Sequence, residues 1–418
     1  MGLLLRGATI VDVSGSHRED LCISDGKIIG RGKNLLQEEH TVEELAGKMI
    51  FPALVDSHVH FRQPGYEVAE EWTTAAKAAL AGGVTAVLDM PNNQPITDSV
   101  ARLQAKEVFA RGCGVDFGFF VAATSDNVKN LASMVPPAIG VKLFCSETTG
   151  VNMAASVSFW REVLSCGQIV AVHAEDGRLL EKGAPRSESV VLSCLRDLLP
   201  AALEVKARVV ICHVTSPAEL ELIGEYRQKG LEVYAEVTPH HLFLSMEDEL
   251  GPWGKVNPPL RSRAVAEGMV KALANEQVDL VGSDHAPHPI EKKEGAAPPS
   301  GMPGVSTTLP VLLTLAAKGK ISYEIIPKVT CQQPAEIYGL SQRGNLSLGS
   351  EATLVVVDPQ KEWSIKKGDI RCGKCAWSPY TKKTFTGKAE ATMLRGRFLF
   401  KDEQFLSLSE EGVWLNVS

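Results

Sequence analysis

From Phe51 onward the chain alternates between two apolar patterns. Short blocks of consecutive apolar residues ("GVTAVLDM", "DFGFFVAA", "IGVKLF", "QIVAVHAED", "ARVVICHV", "LEVYAEVTPHH", "VDLVGSDHAPH") are separated by longer stretches. Those stretches, such as "EEWTTAAKAALAGG" and "SPAELELIGEYRQKG", carry helical periodicity and stop at glycine. Strands apolar on both faces, each followed by a helix, predict a parallel sheet covered on both sides. Repeated over residues 51–341, the pattern predicts an α/β fold, a (β/α)8 TIM-like barrel. The two chain ends read differently. "LLLRGATIVD" and "DLCISDGKIIGRG" are short strands with a hairpin signal at "SDG". Strand patterns return in "ATLVVVD", "EWSI" and "KKTFTGKAEATMLRGRFLF". A small β-sandwich built from residues 1–50 and 342–418 is therefore expected, with the barrel inserted between them. "HPIEKKEGAAPPSGMPG" is charged, then rich in Pro and Gly, and reads as a loop.

Composition narrows the classes. With 418 residues, 44% apolar and 22% charged, the chain has material for a large core. A formal net charge of −7 argues against nucleic acid or an anionic membrane as partner. Nine cysteines, an odd number, argue against a disulfide framework and for a reducing cytoplasm. The lone "CGKC" (Cys372, Cys375) is a weak signal for half a zinc knuckle or a redox pair. No signal peptide and no membrane-spanning run is expected.

The chemistry gathers where the predicted strands end, the face on which barrel enzymes build their sites. "VDSHVHFRQPG" puts His58 and His60 on one side of a strand, with Arg62 two residues on. Lys142, His173, His213, His240 or His241, and Asp284 follow at other strand ends. Imidazoles and carboxylates are ligands for zinc-type ions. A mononuclear site needs about three, so the surplus suggests two metals sharing a bridging ligand and a hydroxide nucleophile. Asp284 then suits proton transfer from that hydroxide to a leaving nitrogen. Lys142 lies among apolar residues. Either its neutral amine has taken up CO2 as a bridging carbamate, or it snorkels to solvent. An arginine beside a dicationic site needs an anion between them, so Arg62 points to a carboxylate-bearing substrate; a salt bridge to Glu67 or Glu70 is the alternative. Asn92, Asn257 and His288 are further candidates for holding the substrate. Pro64-Gly65 predicts a tight turn that lets Arg62 face the pocket.

Together, "VDSHVHFRQPG", "MPNNQP", "GVKLF", "VHAED", "ICHVTS", "EVTPHHLFL", "KVNPPLR" and "SDHAPH" resemble the dihydroorotases of the amidohydrolase superfamily over essentially the whole chain. The resemblance implies reversible cyclisation of N-carbamoyl-L-aspartate to (S)-dihydroorotate in de novo pyrimidine synthesis, with two zinc ions. His58, His60 and Asp284 would hold the first, and Lys142, His173 and His213 the second. The lysine at 142 is similar to the carboxylated-lysine kind, which includes the dihydroorotase domain of the animal multifunctional polypeptide. Arg62, Asn92 and His288 would hold the substrate carboxylate. "CSETTG", with Thr148, resembles a substrate-closing lid, although Thr149 stands where such members carry a bulky aromatic. Cys212, Glu236 and His241 resemble residues that hold an additional metal. A homodimer is expected, and aspartate transcarbamoylase is the candidate protein partner. Two other readings compete. An allantoinase or hydantoinase would leave Arg62 nothing to bind. A catalytically inactive scaffold would have lost ligands, and none is missing.

Overall fold

The structure, a computed structural model, describes residues 2–35, 40–147, 156–180, 186–340, 343–406 and 412–415. Eight strands form one parallel sheet: β1 (Leu54–Val59), β2 (Val84–Asp89), β3 (Asp116–Ala122), β4 (Gly140–Phe144), β5 (Ile169–His173), β6 (Arg208–Ile211), β7 (Glu232–Val237) and β8 (Leu280–Val281). Each pairs with the next in chain order. The two ends of the sheet meet. Val59 bridges His285 just past β8, and the His60 N–H donates to the His285 carbonyl at 2.8 Å. The result is a nearly closed barrel. Every residue of β1 to β5 is buried, which is why these strands read as unbroken apolar blocks rather than as alternating ones.

The helices begin and end where the sequence signals them. Ser216 caps Pro217–Gln228: its Oγ accepts the Glu219 N–H at 3.4 Å, and Pro217 occupies the first turn, where no N–H is needed. Among the described residues no helix is long and apolar enough to cross a membrane.

A second, nine-stranded sheet draws on both chain ends. Its centre pairs Gly2–Asp12 with Met49–Pro52, and Met49–Pro52 antiparallel with Leu354–Trp363. The "SDG" hairpin is present. Ser24 pairs with Lys27 across Asp25 and Gly26, both at positive φ (50° and 76°), as a two-residue hairpin turn requires. Asp116, the fully buried first residue of β3, ties this sheet to the barrel. It accepts from Arg395 at 3.0 and 3.1 Å and also pairs with Arg343.

The segment read as a loop, 288–304, contains one helical turn, Ile290–Lys293, and returns to the barrel's open end at Ser300 and Gly301.

Candidate metal centre and substrate pocket

β1 delivers His58 and His60 to the same side, with ring centroids 5.3 Å apart. Backbone carboxylate contacts fix where the strand ends. Asp56 Oδ1 accepts the N–H groups of His58 (3.2 Å) and Ser283 (2.9 Å), joining β1 to the segment after β8. Both imidazoles turn their Nε2 atoms toward Asp284 Oδ1, at 3.0 Å from His60 and 3.5 Å from His58. Their Nδ1 atoms face away, His58 toward Glu236 Oε1 and His60 toward Asn92 Oδ1, each at 2.6 Å. Ser57 Oγ donates to the other Glu236 oxygen at 2.8 Å.

The second group lies on β4, β5 and β6. Lys142 is fully buried, and its amine donates to Cys212 Sγ at 3.0 Å. His173 Nδ1 lies 2.9 Å from His213 Nε2, while its Nε2 lies 2.9 Å from Glu175 Oε2. Arg186 anchors that carboxylate at 2.5 Å. Glu175 and Glu236 orient ring nitrogens from behind. Glu175 was not singled out from sequence, yet "HAED" carries its signal: an acid two residues after a strand-end histidine.

Arg62 is buried, donates from Nε to the Pro287 carbonyl at 3.1 Å, and brings Nη2 to 3.3 Å from His288 Nε2. Neither Glu67 nor Glu70 pairs with it; Glu67 accepts the Gly65 N–H, and Glu70 accepts from Glu71, Thr74 and Lys374. Burial pushes the guanidinium down to about 10, still charged at neutral pH, with Asp284 and Asp89 acting only at range. Burial and the Arg62 charge push His288 down to about 3, so it is neutral; it donates to the Ser300 carbonyl at 2.9 Å.

The Pro64-Gly65 turn does more than redirect the chain. Gly65 sits at φ +97° against the backbone of Gln94, where a Cβ would collide with the Gln94 carbonyl. The close approach docks the turn after Arg62 onto the loop that carries Asn92. Arg62 (φ 64°), His213 (φ 41°) and Asp284 (φ 46°) all adopt left-handed backbone, each at a cost of about 1–3 kcal/mol that functional sites commonly retain.

One pocket is lined by His58, His60, Arg62, Asn92 and Lys142 together with His173, His213, Asn257 and Asp284. Phe144, Ala286, Ser300 and Gly301 complete it. Cys212 and Glu236 meet beneath His58, and their ligand atoms lie within 4.8 Å of one another. His241 lies apart from that pair: its ring bonds Thr238 Oγ1 (2.7 Å) and the Pro258 carbonyl (3.1 Å), so the group assembled with Cys212 and Glu236 includes His58 instead. Thr148 and Thr149 lie outside the described residues. Cys372 and Cys375 are free buried thiols that donate to backbone carbonyls.

The donor set fits cations. Burial opposes a charge on His58, yet Glu236 and Asp284 outweigh it and pull the imidazole up to about 10. Burial likewise opposes ionisation of Asp284, but His58, His60 and His213 hold it well below the usual carboxylate range. Burial pushes His60 toward neutrality, while its Nε2 lies 3.0 Å from the Asp284 carboxylate and its Nδ1 2.6 Å from Asn92 Oδ1. His213 Nδ1 is buried with no hydrogen-bond partner. Imidazoles, a thiol and carboxylates gathered in this arrangement suit zinc-type ions.

Behind the centre, Asp89 accepts the Phe61 N–H at 2.7 Å, and Lys106 pairs with Asp89 at 2.5 Å while donating to the Met90 carbonyl at 2.9 Å. Both charges are fully buried. Lys106→Met strands the carboxylate and is expected to destabilise the fold by about 3–5 kcal/mol, read by denaturant unfolding. A loss far smaller than this would show that Asp89 is not held by Lys106.

Residues 49–399 match the amidohydrolase family. The chain belongs to the amidohydrolase family, whose matched region takes in every candidate metal ligand described above. Among curated relatives, the dihydroorotase of Halobacterium salinarum is 35% identical over 373 residues, covering 85% of this chain and 87% of that one. The dihydroorotase of Pyrococcus abyssi is 33% identical over 410 residues, covering 97% and 95%. Multifunctional protein CAD of Squalus acanthias is 33% identical over 363 residues, 85% of this chain but 15% of that one. Among solved structures, the L-hydantoinase (dihydropyrimidinase) of Arthrobacter aurescens superposes with a TM-score of 0.93 at 26% identity, covering 98% of both chains.

Proposed function

We propose that this chain is a dihydroorotase, interconverting N-carbamoyl-L-aspartate and (S)-dihydroorotate in de novo pyrimidine synthesis with two zinc ions. The observation that carries the reading is Arg62, a buried guanidinium that forms no salt bridge with a carboxylate among the described residues and lines a pocket rich in candidate metal ligands. A carboxylate is the complementary group. Dihydroorotate carries one on the ring whose amide is cleaved; hydantoin does not. The sequence relatives at 31–35% identity support the same choice over the hydantoinase whose fold the chain shares.

Zinc, when bound, supplies Lewis acidity toward the amide carbonyl and brings water near neutral pH within reach of deprotonation. The protein does the rest. His58, His60 and Asp284 would hold one ion; His173, His213 and Lys142, as a carbamate, would hold the other. Arg62, His288 and Asn92 receive the substrate carboxylate, and Asn257 lines the same pocket. The Asp284 carboxylate takes the proton of the attacking water and hands it to the departing ring nitrogen. The new C–O bond forms at the amide carbon and the C–N bond breaks, leaving the open carbamoyl amino acid. The reverse sequence closes the ring.

Purified protein, assayed side by side with dihydroorotate, hydantoin and allantoin, is expected to turn over dihydroorotate. Preference for either of the other rings would sink the assignment. Arg62→Lys is expected to raise KM by about 10–100-fold, the loss of a charge-assisted bidentate pair, with zinc content unchanged. Zinc loss in that variant would place Arg62 in the metal site rather than on the substrate.

A further inference from the structure

Lys293 is a buried cation that neither the metal centre nor the proton transfer uses. It sits at the end of the Ile290–Lys293 turn with no exposed surface, and its ammonium donates to three backbone carbonyls: Lys255 (2.8 Å), Pro299 (2.9 Å) and Gly301 (2.6 Å). An ammonium has three N–H groups, and all three are used. No carboxylate among the described residues forms a salt bridge with it. The Trp377 ring lies beneath it, 5.6 Å from the nitrogen to the ring centroid, and the Trp377 Nε1–H donates to the His288 carbonyl at 2.8 Å. Burial, with the Lys255 and Arg62 charges adding to it, pushes Lys293 down to about 7. A methionine would fill the same space without giving up hydration, so packing alone does not account for a lysine here.

What the three carbonyls have in common is position. Lys255 lies two residues before Asn257, and Pro299 and Gly301 flank Ser300. Asn257, Ser300 and Gly301 all line the pocket. The Gly301 N–H also donates to the Lys255 carbonyl at 3.0 Å, and a Cβ at Gly301 would collide with the Ala286 carbonyl, so this strip of backbone has little room to shift. We propose that Lys293 is a positioning residue for substrate: its ammonium ties the Lys255–Asn257 and Pro299–Gly301 segments into one wall of the pocket that Arg62 also lines. It touches neither a metal ligand nor the reacting bond. The consequence is selective. Loss of the clamp should loosen the pocket surface that the ring lies against while leaving the metal centre intact.

This inference rests on the dihydroorotase reading for its substrate. If the unsubstituted protein fails to turn over dihydroorotate, that reading fails; the Lys293 variants test only the clamp. Lys293→Met and Lys293→Gln are compared with the full chain for KM, kcat, zinc content and thermal midpoint. Lys293→Met is expected to raise KM by about 10–100-fold, as misplaced positioning groups do, with kcat and zinc little changed. Lys293→Gln keeps two donors and should fall between. A folded Lys293→Met protein with unchanged KM overturns the proposal, as does a fall in kcat and zinc with KM unmoved. If Lys293→Met does not fold, Lys293→Gln decides by the same readout. If neither folds, Lys293 is a structural residue and the proposal fails.

Discussion

Asp284→Asn is expected to lower dihydroorotate turnover by about 10²- to 10⁴-fold, the range that a positioned acid–base group contributes. The substitution is clean in steric terms. Asparagine matches aspartate in size, and both tolerate the left-handed backbone found at this position, φ 46°. What changes is charge. Asp284 Oδ1 is the atom on which His60 and His58 converge, at 3.0 and 3.5 Å, and their imidazoles hold the carboxylate ionised against its own burial. An amide cannot accept the water's proton at neutral pH, and it is a poorer metal ligand. Kinetics and zinc content therefore belong in the same experiment. Lost kcat with zinc retained isolates the proton-transfer role. Lost kcat with lost zinc identifies the ligand role. Turnover close to that of the unsubstituted protein would remove Asp284 from both.

The second large effect is expected at Lys142. Lys142→Ala should abolish most activity, by on the order of 10²-fold or more, since even groups behind a metal's ligands cost up to that much when removed. The geometry explains why a lysine is an unusual occupant. Its amine is fully buried on β4, 3.0 Å from Cys212 Sγ and 5.4 Å from the Phe144 ring centre, in the pocket that holds His173 and His213. An ammonium so placed would add charge to a site built for cations. Uptake of CO2 forms an N–C bond, releases a proton and converts the position to an anion with two oxygens. Alanine leaves space that a small carboxylic acid can enter. Acetate or propionate, but not a short alkylamine, should restore part of the activity. Rescue by the amine instead would show that Lys142 acts as a cation, and the carbamate would be ruled out.

Local chemistry made much of this protein legible. The barrel strands are buried on both faces, so each is a block of apolar residues, and several helices between them start at serine caps, as at Ser99, Ser216 and Ser262. His58 and His60 lie two apart on a strand, so their shared side follows from the pleat alone. Arg62 signalled a need for an anion because a guanidinium beside a cluster of candidate metal ligands has few other uses.

Contacts between distant segments were not legible in the same way. Glu236 grips His58 across 178 positions of sequence, because β7 and the segment after β8 return beside β1 when the barrel closes. His241 sits only five residues beyond Glu236, on a short helix where its ring bonds Thr238 Oγ1 and the Pro258 carbonyl, and the group with Cys212 and Glu236 includes His58. Gly65 looked like the pivot of a turn, and its packing on Gln94 became visible only once the two loops met. The charged stretch before "GAAPPSGMPG" read as solvated loop, because nothing local distinguishes an exposed lysine from one turned inward. Composition, periodicity and strand-end residue types by themselves determined the barrel and which side chains are candidates to hold a metal and a carboxylate. Tertiary structure alone decided which groups stand behind the ligands, where His241 goes and that Lys293 is buried, because those depend on which strand ends become neighbours when the sheet curls shut.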